Sequence, residues 1–181
     1  PASNADTRLG FLTLNADGTL TPIGGSPQTF AGSLGGFGLT ITPDGSRLYL
    51  TQSQAAVVRA FDLDQNTGIP TAVAGSPFAS GAIMEGILTP DGTRLYGVDV
   101  FGKSVRGFTL SATGVPSAIS GSPFGTGTQL QNLAIAPDGR ALYTAQLNDP
   151  TLLSGFSIGA TGALTPFAGS PFPGSGGFPS F

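Results

Sequence analysis

The feature that most restricts the fold of this chain is an internal repeat of about 47 residues. Gly-Ser-Pro begins at residues 25, 75, 121 and 169, and Pro-Asp-Gly begins at residues 43, 90 and 137. Two aromatic markers keep the same register: Phe11, Phe61, Phe108 and Phe156, and the chain's three tyrosines, Tyr49, Tyr96 and Tyr143. A fixed period of this length indicates one supersecondary unit that is copied along the chain.

Each unit predicts four short antiparallel strands and no helix. In the second unit the first strand covers 38–42, the second 47–51 and the third 57–63, and the outermost strand ends at Gly-Ser-Pro-Phe. Pro-Asp-Gly joins the first two strands as a tight turn, because proline presets φ and glycine accepts a positive φ. No segment keeps the apolar period of a helix without an intervening glycine or proline.

Four strands in every such period are typical of a propeller blade. A lone blade cannot bury both faces, so the recurring Phe, Tyr and Leu residues are predicted to pack between neighbouring blades. We therefore expect an all-β propeller of four-stranded blades. The register predicts an incomplete unit at 1–30, blades at 31–78, 79–124 and 125–172, and the start of another at 173–181. These are about three and three-quarter blades, to be completed by further blades of a longer chain or by a second copy.

Composition argues against several function classes. The 181 residues include seven basic and ten acidic ones, for a net charge of −3, so the chain lacks the clustered Lys and Arg of nucleic-acid-binding proteins. No apolar run approaches the roughly 20 residues of a transmembrane helix, and membrane insertion is not expected. No signal peptide is visible. Scarce charge, no cysteine and abundant Gly, Ser and Thr favour a secreted or cell-surface bacterial protein whose leader has been removed.

The candidates for chemistry are few. The chain has no histidine and no cysteine, which removes the Ser-His-Asp triad and the commonest metal ligands, and no cofactor is expected. Glu85 is the only glutamate and is predicted at the mouth of an innermost strand. A carboxylate there can bind a cation or a sugar hydroxyl, or act as a general base; the alternative is a solvated rim residue. Asn132 holds the same position one blade later, which makes both residues binding candidates.

Two further groups are weaker candidates. Arg59 and Arg106 share a third-strand position, where paired guanidiniums can bind a carboxylate or phosphate or can pack their stems over neighbouring phenylalanines. Asp62, Asp64 and Asn66 resemble the start of a calcium loop. An EF-hand needs glycine at its sixth position and glutamate at its twelfth. This segment has neither, so a hairpin turn is favoured over a metal site.

Three stretches carry a resemblance to a known family. Residues 42–51, 89–96 and 136–143 each read Thr or Ala, then Pro-Asp-Gly, then two residues and Leu-Tyr, and the repeat Phe strand follows. Over essentially the whole chain these units resemble the YVTN and lactonase-like propellers. The resemblance implies a seven-bladed ring, often secreted, and in one branch the opening of sugar lactones, including 6-phosphogluconolactone. That branch often places histidine five residues before the turn proline. The residues at that position here are Gly38, Glu85 and Asn132.

The residues favour a non-catalytic propeller that serves as a structural or binding platform and presents its rim to a protein or a carbohydrate. The alternative is a lactonase-like hydrolase whose catalytic groups lie partly in blades outside this chain. Glu85 is then the one catalytic candidate that this chain supplies.

Overall fold

The computed structural model describes residues 7–30, 37–99, 101–126, 129–146 and 152–173. These residues form antiparallel sheets and contain no helix, so the all-β prediction is confirmed. In particular, no helix within this part of the chain is long and apolar enough to cross a membrane.

Within the described residues, the first blade consists of its two outer strands, and each of these strands is split into two short segments. β1 pairs with β4, and β2 pairs with β3. These segments are β1 (Thr7–Leu9), β2 (Leu12–Leu14), β3 (Leu20–Pro22) and β4 (Gln28–Phe30).

Three complete blades follow, and in each of them the strands run in chain order from the inside outward. The second blade is β5 (Phe37–Ile41), β6 (Arg47–Gln52), β7 (Val57–Leu63), β8 (Pro70–Ala72) and β9 (Phe78–Ala79). The third is β10 (Ile83–Leu88), β11 (Arg94–Asp99), β12 (Ser104–Leu110), β13 (Pro116–Ala118) and β14 (Phe124–Gly125). The fourth is β15 (Leu130–Ile135), β16 (Ala141–Gln146), β17 (Leu152–Ile158), β18 (Leu164–Pro166) and β19 (Phe172–Pro173).

The outermost strand of each blade is interrupted rather than ended by Gly-Ser-Pro. β8 and β9 both pair with β7, and the later blades repeat this arrangement. The sequence predicted that this strand ends at Gly-Ser-Pro-Phe; in the three complete blades it ends one residue after that phenylalanine, but the interruption before it was not predicted. The chain bulges at a cis Ser-Pro bond in all four units, and in the three complete blades pairing resumes at the following phenylalanine.

The serine of each tripeptide holds the interrupted strand onto its blade. The third-strand amide that faces the bulge donates to the serine hydroxyl, with N–Oγ distances of 3.1 Å from Ala60 to Ser76 and 3.0 Å from Gly107 to Ser122. The other two pairs are Phe11 with Ser26 and Gly155 with Ser170. The bulge removes the carbonyl that would otherwise accept from this amide, so the serine replaces it and avoids an unsatisfied backbone donor.

This hydrogen bond corrects the register of the first unit. Phe11 donates where Ala60 donates in the next blade, and Leu12 pairs with the outer strand as Phe61 does. The prediction that Phe11 holds the repeat phenylalanine position was therefore wrong, because equivalent third-strand residues are 49 apart here. Leu12 holds that position, and it is 50% exposed where Phe61 is 2% exposed.

The Pro-Asp-Gly turn forms as predicted. Gly45 has a φ of +72° and donates to the carbonyl of Thr42 at 2.8 Å. The Asp44 carboxylate accepts from the amide of Ser46 at 3.0 Å. The Thr42 hydroxyl, followed by the amide and hydroxyl of Ser46, lowers the pKa of Asp44 to about 2.

The hydrophobic core lies between the blades. One cluster joins the second blade to the third, and a second cluster joins the third blade to the fourth. A smaller one joins the first two blades. Buried members of the three clusters include Tyr49, Leu95 and Phe108, then Tyr96, Leu142 and Phe156, then Leu48, Leu50 and Phe61. The predicted inter-blade packing is confirmed for the recurring apolar residues of these clusters, and Phe11, although it does not hold the repeat phenylalanine position, packs against the third of them.

A tyrosine hydroxyl crosses each interface between complete blades. Tyr49 Oη donates to the carbonyl of Gly114 at 3.1 Å, and Tyr96 Oη donates to that of Gly162 at 2.6 Å. Both glycines have a positive φ, and a Cβ on either would collide with an arginine of the preceding blade. Burial raises the pKa of Tyr96 from 10.0 to about 12, so its hydroxyl keeps its proton, and stays a donor, at alkaline pH values where an exposed tyrosine ionises. We call this pairing the Tyr–Gly latch.

Candidate functional site

The innermost strands of the three complete blades, β5, β10 and β15, lie next to one another. A Cβ on Gly38 would lie 2.8 Å from the amide nitrogen of Gly86 and 2.9 Å from Cα of Glu85. The buried Thr51 hydroxyl accepts from the Gly38 amide at 2.8 Å and lies 3.3 Å from the carbonyl oxygen of Met84. Because Gly38 and Gly86 have no side chains, the backbones of adjacent blades can lie in direct contact at their inner edges.

Two of these inner strands contain a bulge at the same repeat position. In β10, Met84 and Glu85 together face a single residue of the neighbouring strand. In β15, Gln131 and Asn132 do the same. A bulge leaves the extra residue out of the ladder and turns its side chain, and bulges often lie beside active sites. Here the bulges carry both sequence-predicted polar candidates.

The bulges open onto a groove of about 430 Å³, which we call the central groove. It is lined by Gly38, Leu39, Met84, Glu85, Gly86, Gln131 and Asn132. The structure thus brings together Gly38, Glu85 and Asn132, which hold the repeat position where the lactonase branch often has histidine. Leu39 and Met84 are exposed there and supply apolar surface.

Glu85 is the one ionisable group among the described residues that line the groove. It is half-buried, and burial raises the pKa of its carboxyl group. Its carboxylate can accept hydrogen bonds from ligand hydroxyls, whereas the amides of Gln131 and Asn132 can both donate and accept. Across the described residues, no three His, Cys, Asp or Glu side chains form a group that could hold a metal ion.

The two arginines share a position, as predicted, but neither lines the central groove. Arg106 Nε lies 2.8 Å from Oδ2 of the buried Asp99, whose other oxygen accepts from an amide in the next loop. Arg59 Nε donates to Gln52 Oε1 at 2.7 Å. Both guanidiniums therefore tie the third strand of a blade to the second.

The two aspartates of the calcium-loop candidate take part in different interactions. Asp62 forms an ion pair with Arg47, with an N–O distance of 2.6 Å. The carboxylate of Asp64 accepts from the amides of Asn66 and Thr67 at 3.0 and 2.8 Å. This is a side-chain-stabilised hairpin turn, in line with the reading that the sequence favoured.

Two larger clefts lie between blades at the Pro-Asp-Gly ends, with volumes of about 690 and 520 Å³. Most of their charged groups have partners within the fold, although the Arg140 guanidinium has none among the described residues. Arg94 donates to the carbonyl of Ala160 at 2.5 Å, and Asp91 accepts from the amide of Thr93 at 3.0 Å. The central groove is smaller, but its polar residues lie at the two bulges, where the strand pairing is interrupted.

No protein-family model and no curated protein matches this sequence. Solved structures do match. A Bacteroides uniformis protein provisionally named a 6-phosphogluconolactonase has a TM-score of 0.72 and 18% identity, over 92% of this chain and 54% of that one. A Pseudomonas aeruginosa periplasmic gluconolactonase has a TM-score of 0.70 and 18% identity, over 89% and 49%.

A functionally unknown protein from Desulfotomaculum acetoxidans also matches, with a TM-score of 0.68 and 21% identity, over 96% of this chain and 54% of that one. The chain thus spans about half the length of these structures. At such identities the likeness establishes the fold alone. Together with the blade order and the inter-blade core, it shows that this chain has the fold of a partial β-propeller.

Proposed function

We propose that this chain is a propeller binding platform whose central groove holds a small, uncharged, hydroxyl-rich ligand such as a sugar. One observation carries the proposal: Gly38, Glu85 and Asn132, at one repeat position of three consecutive blades, line the same groove.

The lining suits such a ligand. The Glu85 carboxylate can accept from two hydroxyls, and the neighbouring amides can serve hydroxyls as donors or acceptors. Leu39 and Met84 offer apolar surface to the C–H face of a sugar ring. A concave, partly apolar surface with a few convergent polar groups is the usual form of a small-molecule site.

The charge of the groove favours a neutral ligand. Among its described lining residues there is one carboxylate and no lysine or arginine, and the chain has a net charge of −3. Phosphate recognition usually relies on guanidinium or ammonium groups. A phosphorylated sugar is therefore less favoured than its unphosphorylated counterpart.

Hydrolysis of a sugar lactone is the second candidate, and the names of the two neighbours from Bacteroides and Pseudomonas favour it. Burial raises the pKa of Glu85, which makes its carboxylate a stronger base than an exposed glutamate. Such a base can activate water. With no histidine in the chain, the other catalytic groups would come from blades outside it.

Ligand titration by NMR tests the binding proposal, with glucose, glucitol and glucono-δ-lactone as probes. We expect weak but saturable binding, and we expect Glu85→Gln and Asn132→Ala each to reduce affinity about tenfold, which is the effect of losing about 1.4 kcal/mol. The control is Asp138→Asn, which lies in a Pro-Asp-Gly turn outside the groove. Binding that the groove variants leave unchanged would overturn the proposal.

The second candidate is tested by the acid released from glucono-δ-lactone, titrated at constant pH. Turnover above the spontaneous rate that disappears in Glu85→Gln would favour the hydrolase and contradict a non-catalytic platform. Binding without turnover would favour the platform.

We also propose export from a bacterial cell and membership of the YVTN branch. The composition and the periplasmic neighbour support the first, and the repeated Pro-Asp-Gly strands support the second. Detection of the native protein only in the cytosol would contradict export.

A further inference from the structure

We infer that the cleft of about 690 Å³ between the third and fourth blades binds the carboxylate group of a small hydroxy acid. We call it the arginine cleft; it is lined by residues 89–91 and 94 of the third blade and by 138–140 and 157–160 of the fourth. Both walls belong to complete blades, and the volume is in the range of small-molecule sites. The inference does not rest on what the central groove binds.

Arg94 lacks the carboxylate partner that its equivalent has one blade earlier. Arg47 stands opposite Asp62 in the second blade and forms an ion pair with it at 2.6 Å. Arg94 stands opposite Thr109, whose side chain is neutral. Its Nη2 donates to the carbonyl of Ala160 at 2.5 Å, and it has no ion pair within the described residues. The hydrogen bond to the next blade therefore holds the guanidinium at the cleft without neutralising its charge.

Arg140 adds a second guanidinium to the same cleft. The hydrogen bonds of the Pro-Asp-Gly turns align Arg140 with Ser46 and Thr93. Those two residues donate their hydroxyl groups to the aspartate of their own turn. The Arg140 side chain makes no such bond, is exposed, and has no partner among the described residues. It is therefore available to an anion from solution.

The cleft between the second and third blades serves as an internal comparison. It is built from the same turn positions, and Arg47 is the one arginine in its described lining. That arginine is already neutralised by its ion pair with Asp62. The arginine cleft contains two guanidiniums, and neither has an ion pair within the described part of the chain. Guanidiniums bind carboxylates through paired, charge-assisted hydrogen bonds, which makes a carboxylate the matching group.

The two aspartates of the arginine cleft favour an anion of low charge. Asp91 accepts from the hydroxyl groups of Thr89 and Thr93 at 2.6 and 2.9 Å. Burial raises the pKa of Asp91, but these hydrogen bonds and the charge of Arg94 outweigh burial and lower it, so the carboxyl group is ionised at neutral pH. Carboxylates in the lining repel a dianion more than a monoanion. A phosphate monoester, with a charge of about −1.5 to −2, is therefore disfavoured.

Asp138 explains why the ligand should also carry hydroxyl groups. Its carboxylate accepts, among the described residues, only from the amide of Arg140 at 3.0 Å. Ala136 holds the position at which Thr89 donates its hydroxyl to Asp91. Asp138 thus retains acceptor capacity that a ligand hydroxyl can use. A hydroxy acid offers its carboxylate to the arginines and its hydroxyl groups to this aspartate.

NMR titration with gluconate tests the inference, and glucitol is the matched polyol without a carboxylate. We expect gluconate, but not glucitol, to cause saturable shifts of the Nε–H signals of Arg94 and Arg140. Arg140→Gln should weaken gluconate binding about tenfold, because it removes a charge-assisted hydrogen bond. The control is Arg8→Gln, which removes the same charge from an exposed position outside the cleft and should leave the affinity unchanged.

Thr109→Asp tests the role of the missing carboxylate. It gives Arg94 the opposing aspartate that Arg47 has in Asp62, so the new ion pair should compete with the ligand. We expect gluconate binding to weaken at least about fivefold. Thr109→Asn is nearly the same size without the charge and should bind gluconate as the unaltered chain does. Thr109 is exposed, so both variants should keep the urea midpoint of the unaltered chain.

Three results would overturn the inference. The first is a titration in which gluconate causes no saturable shift at Arg94 and Arg140. The second is inorganic phosphate binding to the cleft more tightly than gluconate, which would contradict the choice of a carboxylate. The third is gluconate binding that Glu85→Gln abolishes and Arg140→Gln leaves intact, which would assign the ligand to the central groove. Binding that is weakened by Arg140→Gln and unchanged in Glu85→Gln would support the arginine cleft.

Discussion

At the scale of single residues, side chains that recur from unit to unit bind backbone groups that the strand pairing leaves open. Ser122 accepts from a third-strand amide, Tyr96 donates to a carbonyl of the next blade, and Asp44 accepts from the amide after its turn. The repetition of these residues was visible in the sequence. Their partners were not, because the serine acts across 15 residues and the tyrosine across 66.

Ser122→Ala should lower the free energy of unfolding by about 1–2 kcal/mol, because it leaves the buried Gly107 amide without an acceptor. Urea denaturation followed by circular dichroism measures the change. Ser120→Ala, two residues away and exposed, is the matched control and should change stability little. Equal effects for the two variants would show that the Ser122 hydroxyl has no such role.

Asp44 should make stability depend on acid pH. Its carboxyl pKa is lowered from 3.8 to about 2, so the unfolded chain binds the proton more tightly than the folded chain does. The stabilisation is complete above 3.8 and is lost as the pH falls toward about 2. Asp44→Asn should therefore lose less stability across this interval than the unaltered chain, as measured by urea midpoints at each pH. Parallel pH profiles would contradict the assignment.

At the scale of strands and blades, the sequence predicted the three long strands of each blade because Pro-Asp-Gly fixes the turn between the first two. It did not predict the resumption of the outer strand, since a two-residue strand after proline has no periodicity to detect. The Phe11 error has a similar origin. The turn at 64–69 contains one extra residue, so equivalents are 50 residues apart in the outer strand but 49 in the third strand.

The central groove was predictable only in part. The shared repeat position placed Glu85 and Asn132 on neighbouring inner strands, where they are found. The bulges were not predicted, because they depend on how two strands shift past each other and not on a local motif. The sequence also did not predict that Leu39 and Met84 line the groove, because an apolar residue in an inner strand is normally expected in the hydrophobic core.

The position of Phe108 in the inter-blade core allows a quantitative prediction for the loss of one buried phenylalanine side chain. Phe108→Ala should cost about 3–5 kcal/mol of unfolding free energy, because Phe108 fills the space between the second and third blades. Phe101→Ala is the matched control, since Phe101 is 77% exposed, and should cost less than about 0.5 kcal/mol. Urea titrations of both variants decide the matter. A loss below about 1 kcal/mol for Phe108→Ala would contradict the proposed core.

At the scale of the whole molecule, the hydrophobic core lies between neighbouring blades. The apolar clusters join one blade to the next, and the Tyr–Gly latch adds a polar bond at both interfaces between complete blades. The faces at either end of the stack have no such cover within the described residues, and their leucines and aromatic residues remain partly exposed.

Nuclear Overhauser effects from the Tyr96 ring test this stacking most directly. The account predicts contacts from the ring protons to the α-protons of Gly162, which lies 66 residues later in the next blade. It also predicts contacts to the buried methyl groups of Leu164. A Tyr96 ring that shows contacts only to its own sheet would contradict the arrangement of blades face to face.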